Sequence, residues 1–159
     1  MSGEFYTVRG YEMKNYHKNV LTPSMEDYLE MIYRKSLEQP YIRINLLAHL
    51  LNVADSSATK MVQKLGELNF VHYERYGIVT LTEKGIELGK LLLGRHTVLE
   101  NFLSLIGCTD DALKQTELIE HNINWATIEN IKCLYDFITG DEGLLERYMQ
   151  YRNTHADHE

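Results

Sequence analysis

The chain has 159 residues and a mass of 18.6 kDa, enough for one ordinary domain or for two small ones that share a core. Its hydrophobic fraction of 44% and charged fraction of 25% are those of a globular protein. No apolar run approaches the ~20 residues that span a bilayer, and the first 21 residues lack the apolar core of a signal peptide. We therefore exclude a membrane protein and expect a cytoplasmic one.

The net charge of −7 argues at first against a nucleic-acid-binding protein, because affinity for DNA comes largely from Lys and Arg at the phosphates. The charge is unevenly distributed, however. Residues 1–99 hold 12 Lys and Arg against 11 Asp and Glu, whereas residues 100–159 hold 4 against 12. A basic face on the first half is therefore compatible with the composition, and divalent cations would offset part of the acidic charge of the second half.

The two cysteines, Cys108 and Cys133, lie 25 residues apart. They lack the paired spacing of a zinc site and a secretory context that would oxidise them. We expect both to be reduced and structural.

A first helix is predicted from Thr22, which supplies a hydroxyl near the N-cap, to Gln39, which precedes the helix-breaking Pro40. Pro23 falls in its first turn, where the missing N–H costs nothing. The buried stripe is made of Met25, Tyr28, Leu29, Ile32 and Tyr33. Residues 1–21, polar and rich in tyrosine, are predicted to be a partly ordered extension.

Two short helices with a tight turn between them come next. One is predicted at Ile44–Leu51, and the other begins after a cap at Asp55 or Ser56. Asn52 lies in the turn, where its side chain tolerates a left-handed backbone. The second of these helices is apolar on one face and carries small polar side chains and lysines on the other. The pattern predicts a helix-turn-helix.

Two β-prone runs, residues 71–76 and 78–82, meet at Gly77 and predict a hairpin with Arg75 and Tyr76 near its tip. A helix-turn-helix followed by a hairpin is a winged helix. Thr82 then caps a long helix that ends at Gly107. Its apolar residues are too many for a single-sided helix, so we expect a second copy of the chain to cover part of it.

Further helices are predicted at about 110–120, 125–137 and 142–152. The fold class is therefore mainly α, with an N-terminal winged helix-turn-helix and a C-terminal helical dimerisation domain. The predicted parts are an N-terminal extension (1–21), a winged-helix DNA-binding domain (22–90), a helical metal-binding and dimerisation domain (91–152) and a disordered tail (153–159).

Acidic residues and histidines recur at helical spacing. Asp27 and Glu30 share one helix face, but solvated carboxylates in a first turn are common, and solvation is the better interpretation of this pair alone. Glu117, Glu120 and His121 also share a face, and metal binding and a plain polar surface are about equally supported there. His96 lies in the most apolar helix, where a lone histidine is usually a hydrogen-bonded core residue.

Four segments in order resemble the manganese transport regulators of the diphtheria-toxin-repressor family, over about residues 22–151. They are residues 22–33 (TPSMEDYLEMIY), residues 56–65 (SSATKMVQKL), Arg95-His96 and residues 117–121 (ELIEH). The resemblance implies a homodimeric, metal-activated transcriptional repressor that acts on double-stranded operator DNA and is not an enzyme.

The resemblance also implies the metal ligands, which fall on Asp27, Glu30, His96, Glu117, Glu120 and His121. It implies two ions per subunit, bridged by Glu117 and Glu120, with Asp27 and His96 mainly on one ion and Glu30 and His121 on the other. Iron-sensing members resemble this chain but have methionine and cysteine at the positions of Asp27 and Glu117. An oxygen-rich site with two imidazoles suits Mn²⁺, although affinity alone does not exclude Fe²⁺ or other divalent ions.

The chain departs from the family pattern in its first 21 residues, at Asp55, at Asn122 after His121, and at the wing tip, residues 76–78. None of these is an implied ligand, so the departures affect the expected operator sequence. For base contacts we predict Ser57, Thr59, Lys60 and Gln63, with Lys64 and Arg75 at phosphates.

We expect metal to restrict the motion of the two winged helices of a dimer, so that both recognition helices reach successive major grooves ~34 Å apart. The alternatives are an iron-responsive regulator, a carboxylate-bridged dimetal enzyme and a winged-helix regulator that ignores metal. The enzyme class usually has Glu-x-x-His pairs, and Leu93 and Leu118 stand where the glutamates would be.

Overall fold

The computed structural model describes residues 20–108 and 110–155, and the chain divides into two compact units, Met1–Leu93 and Gly94–Glu159. The predicted extension up to residue 19, and residues 156–159 of the predicted tail, lie outside the described residues. Within the described part, none of the helices combines the length and the hydropathy that a membrane span needs.

The described residues form seven α-helices and a three-stranded sheet. The helices are α1 (Pro23–Ser36), α2 (Ile44–Leu50), α3 (Asp55–Glu67), α4 (Glu83–Leu105), α5 (Ala112–Ile119), α6 (Trp125–Thr139) and α7 (Glu142–His155). The strands are β1 (Ile42–Arg43), β2 (Val71–Glu74) and β3 (Ile78–Leu81). This confirms a mainly α fold with a winged helix-turn-helix followed by a helical unit.

Helix α1 begins as its sequence predicts. The Thr22 hydroxyl accepts a hydrogen bond from the Met25 amide at 3.3 Å, and Pro23 occupies the first turn. Tyr28, Leu29 and Ile32 are buried along one face. That face anchors α1 in the core of the first unit, and it fixes which side chains of α1 point away from that core.

The turn between α2 and α3 is tight because Asn52 takes a left-handed backbone with φ of 54°, as predicted. The N-cap of α3 is Ala54, not Asp55 or Ser56, and no side chain caps it. Asp55 is instead the first helical residue, where its negative charge interacts favourably with the positive end of the helix dipole. Ala58, Val62 and Leu65 are buried, so the polar face of α3 lies opposite them.

The sheet has the order β1-β3-β2, and both pairings are antiparallel. Strand β1 was not predicted, because two residues are too short for a periodic signal. The hairpin turns through Arg75–Gly77, with φ of 68° at Tyr76 and 72° at Gly77. A Cβ on Gly77 would lie 3.1 Å from Cγ2 of Ile44, so the wing tip lies close to the start of α2.

Helix α4 begins after Thr82, whose hydroxyl accepts from the Gly85 amide at 3.0 Å. Two glycines permit close packing within the first unit. A Cβ on Gly85 would overlap the carbonyl oxygen of Phe70, and one on Gly89 would lie 2.5 Å from Cβ of Tyr33. The first part of α4 therefore packs directly on α1 and on the start of β2.

The second unit contains the end of α4 together with α5, α6 and α7. Ile128 is the only buried residue of α6, whereas Leu134 and Phe137 on the same helix are 49% and 67% exposed. Helix α7 runs to His155, beyond the predicted end at Arg152. His155 stacks on the Tyr151 ring, with centroids 3.9 Å apart, so residues 153–155 are helical and not part of a disordered tail.

Candidate metal centre and nucleic-acid interface

In the first unit, Asp27 and Glu30 lie one turn apart on α1. Asp27 is exposed, whereas Glu30 is only 7% exposed. Arg34, one further turn along, donates to Oε1 of Glu30 from Nε at 2.9 Å and from Nη2 at 2.7 Å. A buried carboxylate needs such compensation for the water it has lost. Glu30 is thus a buried carboxylate that a neighbour on the same helix holds in place.

In the second unit, a buried carboxylate lies against an imidazole. Oε2 of Glu120 is 2.9 Å from Nδ1 of His96, and the two residues are 2% and 4% exposed. Glu120 follows directly after α5, with its backbone still right-handed helical and its amide donating to the Thr116 carbonyl. His96 stands on α4, so the fold of the second unit brings together two residues that lie 24 positions apart in the chain.

His121 is the next residue, and its Nε2 lies 3.7 Å from Oε1 of Glu120. One carboxylate therefore has an imidazole near each of its oxygens. Glu120, His96 and His121 offer one oxygen-donor group and two nitrogen-donor groups within a few ångströms. That donor set fits a divalent transition-metal ion.

Two arginines contact these groups and were not predicted. The first is Arg34, described above. The second is Arg95 on α4, which is only 5% exposed, and its Nη2 lies 3.2 Å from Nδ1 of His121. Its Cζ lies 5.4 Å from the centroid of the Trp125 ring. The i,i+4 spacing of Glu30 and Arg34 was visible in the sequence, whereas only the fold brings Arg95 to His121.

Two other glutamates of the second unit are less buried than Glu120. Glu117 is exposed on α5, one turn before Glu120, and in the described part of the chain it is not among the carboxylates that contact an imidazole. Oε2 of Glu100 lies 3.6 Å from Nε2 of His96. The structure thus brings three of the four predicted ligands of this unit together and leaves Glu117 at the surface.

The residues predicted for DNA lie on the polar face of α3 and at the wing. Ser57, Lys60, Gln63 and Lys64 are exposed, as is Arg75 in the turn of the wing. Thr59 is half-buried, and its hydroxyl donates to the Asp55 carbonyl at 2.9 Å. Tyr76, which sequence reasoning placed at the tip without a role, is 89% exposed.

Two family models match consecutive parts of the chain. The model described as "Iron dependent repressor, N-terminal DNA binding domain" matches residues 20–79. The model described as "Iron dependent repressor, metal binding and dimerisation domain" matches residues 82–156. Together they cover almost all of the described residues.

Curated relatives agree with these models. The chain is 43% identical over 141 residues to the HTH-type transcriptional regulator MntR of Shouchella clausii (strain KSM-K16), covering 87% of this chain and 99% of that protein. It is 43% identical over 122 residues to the regulator of the same name from Bacillus subtilis (strain 168), covering 76% and 86%.

Solved structures show the same architecture. The manganese regulator SloR superposes with a TM-score of 0.63 at 27% identity, over 74% of this chain and 55% of the SloR chain. ScaR with bound Zn²⁺ superposes with a TM-score of 0.59 at 27% identity, over 71% and 54%. The match therefore spans about half the length of both. The family models, the curated relatives and the fold place this chain in the diphtheria-toxin-repressor (DtxR/MntR) family of metal-dependent, DNA-binding transcriptional regulators, which are not enzymes.

Proposed function

We propose that the chain is a manganese-responsive repressor, and that it controls genes for manganese uptake. The observation that carries the proposal is Glu120, a buried carboxylate with the imidazoles of His96 and His121 on either side. The MntR names of the relatives support manganese. The oxygen donors Asp27 and Glu117 further favour it over iron, because the iron-type pattern has sulfur donors at those positions.

We further propose that Asp27, Glu30, His96, Glu117, Glu120 and His121 hold the metal, as two ions per subunit. The burial of Glu30 and Glu120 supports their role, since a carboxylate away from water gains more from a nearby cation than an exposed one. When bound, divalent metal supplies positive charge that offsets the clustered carboxylates. Glu117 is exposed on α5, one turn before Glu120, and would supply a further carboxylate to the metal.

The proposed ligands come from both the DNA-binding part, taken as residues 22–90, and the metal-binding and dimerisation part, taken as residues 91–152. Shared ligation restricts how the winged helices of a homodimer move. A dimer that is already ordered binds two successive major grooves at a smaller entropic cost. Such coupling is typically ~1–3 kcal/mol and reciprocal, so operator DNA tightens metal binding by the same factor.

On the DNA side, we propose that Ser57, Lys60 and Gln63 read base edges from α3, and that Lys64 and Arg75 contact phosphates. Their exposure on one face of α3 and on the wing supports this role. Thr59 is a weaker candidate than the sequence indicated, because its hydroxyl already donates to the Asp55 carbonyl. Its methyl group is the part that remains for a thymine contact.

The test is a titration of labelled DNA with the full chain, with and without Mn²⁺. The DNA is first selected from a random duplex library in the presence of Mn²⁺, so that no operator sequence is assumed. We expect Mn²⁺ to raise the affinity of the wild type ~5–150-fold. Glu120→Ala should lose this response, because it removes the carboxylate shared by two imidazoles.

Glu146→Ala is the matched control, since it removes an exposed carboxylate of α7 in the same unit. It should respond to Mn²⁺ as the wild type does. Equal DNA affinity of the wild type in Mn²⁺ and in chelator would refute the proposal and favour a winged-helix regulator that ignores metal. A full response to Fe²⁺ and none to Mn²⁺ would favour the iron alternative.

A further inference from the structure

The contact between Arg95 and His121 constrains the imidazole more than a neutral neighbour would. A guanidinium has five N–H donors and no acceptor. In the 3.2 Å hydrogen bond from Nη2 of Arg95, Nδ1 of His121 must therefore be the acceptor. A neutral imidazole has one lone-pair nitrogen and one N–H, so the proton of this ring is on Nε2.

Neither nitrogen of His121 can bind a metal ion in this arrangement. The lone pair of Nδ1 is taken by Arg95, and Nε2 carries the proton. Coordination through Nδ1 requires the bond to Arg95 to break. Coordination through Nε2 moves the proton to Nδ1, where it faces an Arg95 N–H, donor against donor. In both cases the hydrogen bond between Arg95 and His121 has to break.

Arg95 is also held on a second side. It is 5% exposed, and its guanidinium lies over the Trp125 ring at 5.4 Å from the centroid, within the range of a cation–π interaction. Such an interaction is stronger when the cation is removed from water. The indole face therefore stabilises the guanidinium in the position from which it bonds His121.

We propose that Arg95 is an internal cation that divalent metal must displace from His121. The strength of the hydrogen bond between Arg95 and His121 then sets the metal concentration at which the regulator responds. The inference rests on the proposed function, because it takes His121 as a ligand. It assigns to Arg95 and Trp125 a role in setting sensitivity, which the ligand set alone does not give.

The direct test is the affinity of the full chain for Mn²⁺ by isothermal titration calorimetry. Arg95→Met keeps an apolar stem over Trp125 and removes the donor. We expect the Kd for Mn²⁺ to fall by about tenfold or more, because one hydrogen bond from a charged donor no longer has to be broken. Lys114→Met is the matched control, since it removes one positive charge from an exposed position of α5 in the same unit. It should stay within about threefold of the wild type.

Trp125 gives an independent readout, because it is the only tryptophan of the chain. Cd²⁺ serves as the probe, since it lacks the paramagnetic quenching of Mn²⁺. We expect Cd²⁺ to change the Trp125 emission of the wild type as the guanidinium leaves the ring. Arg95→Met should already emit like the Cd²⁺-loaded wild type and change little on titration.

The outcomes separate this inference from the proposed function. If the wild type binds neither Mn²⁺ nor Cd²⁺, the proposed function is wrong. If the wild type binds metal but Arg95→Met binds it equally or more weakly, Arg95 is a positioning residue and the inference is overturned. Should Arg95→Met fail to fold, the ¹⁵N shifts of the His121 ring in the wild type decide: proton on Nε2 before metal is added supports the inference, and proton on Nδ1 overturns it.

Discussion

Nδ1 of His96 lies 2.9 Å from Oε2 of Glu120, and both side chains are almost completely buried. Each residue thus supplies the polar partner that the other needs inside the second unit. A variant that removes only the charge of Glu120, and leaves an acceptor in its place, separates packing from metal binding.

Glu120→Gln is that variant. The amide oxygen still accepts from an Nδ1–H of His96, so the chain should remain folded, with a metal-free melting temperature close to that of the wild type. Its affinity for Mn²⁺ should fall by more than the about 10–100-fold that is typical for outer-shell partners, because a charged ligand is lost. Calorimetric titration with Mn²⁺ measures this, and undiminished affinity would remove Glu120 from the ligand set.

The glycines of α4 allow a prediction about packing. Gly89→Ala places a methyl group 2.5 Å from Cβ of Tyr33, so we expect a loss of about 1–3 kcal/mol in the free energy of unfolding. Gly94→Ala meets nothing within 4 Å and should gain about 0.5–1 kcal/mol, because alanine is the better helix former. Urea unfolding followed by circular dichroism compares the two. Equal effects would contradict the close approach of α4 to α1.

Much of this fold was predictable from local chemistry. Three sites have side chains that suit a helix start or a tight turn, and all three behave as expected. They are the pair Thr22 and Pro23, Asn52, and Thr82. The errors occurred where the signal is weak or non-local. Strand β1 exists only because Ile42 and Arg43 reach the partner strand β3, and the start of α3 at Ala54 has no side-chain cap to reveal it.

Two exposed residues of α3 should differ in what they do to DNA binding. Lys64→Ala should weaken binding to all sequences and reduce the slope of log affinity against log salt by about 0.9, because one phosphate contact is lost. Gln63→Ala should leave that slope unchanged and cost about 1–3 kcal/mol of discrimination at one base pair. Fluorescence anisotropy over a salt series, with single-base operator variants, measures both. A salt slope that falls only for Gln63→Ala would reverse the two assignments.

The exposed apolar residues of α6 predict where a second copy of the chain packs. Phe137 is 67% exposed in a helix with a single buried residue, within the part matched by the dimerisation model. Phe137→Glu should shift the chain towards monomer, since it places a charge in an apolar interface. Sedimentation velocity over a concentration series measures the change.

Leu37→Glu is the control for that experiment, because Leu37 is 65% exposed but lies in the first unit. It should sediment as the wild type does. If Phe137→Glu also sediments as the wild type, the exposed face of α6 is not the dimer contact.

The metal site was less accessible to sequence reasoning than the fold. Helical spacing placed Glu117, Glu120 and His121 on one face but left metal binding and a polar surface equally supported. For His96, spacing favoured a core residue, and its burial and its bond to Glu120 fit that interpretation as well as a ligand role. The i,i+4 spacing of Glu30 and Arg34 was visible in the sequence. The position of Arg95, in contrast, depends on contacts with His121 and Trp125, which are distant in the chain and which no local residue pattern specifies.

Strand β3 lies between β1 and β2: all four of its residues pair with β2, and Ile78 and Val79 also pair with β1. Its amides should therefore be among the slowest of the first unit to exchange with deuterated solvent, whereas those of the turn at Arg75–Gly77 should exchange quickly. The wing therefore combines a rigid strand with a more flexible turn. Substitutions in that turn can change which DNA sequence the wing contacts without breaking the backbone hydrogen bonds of the sheet.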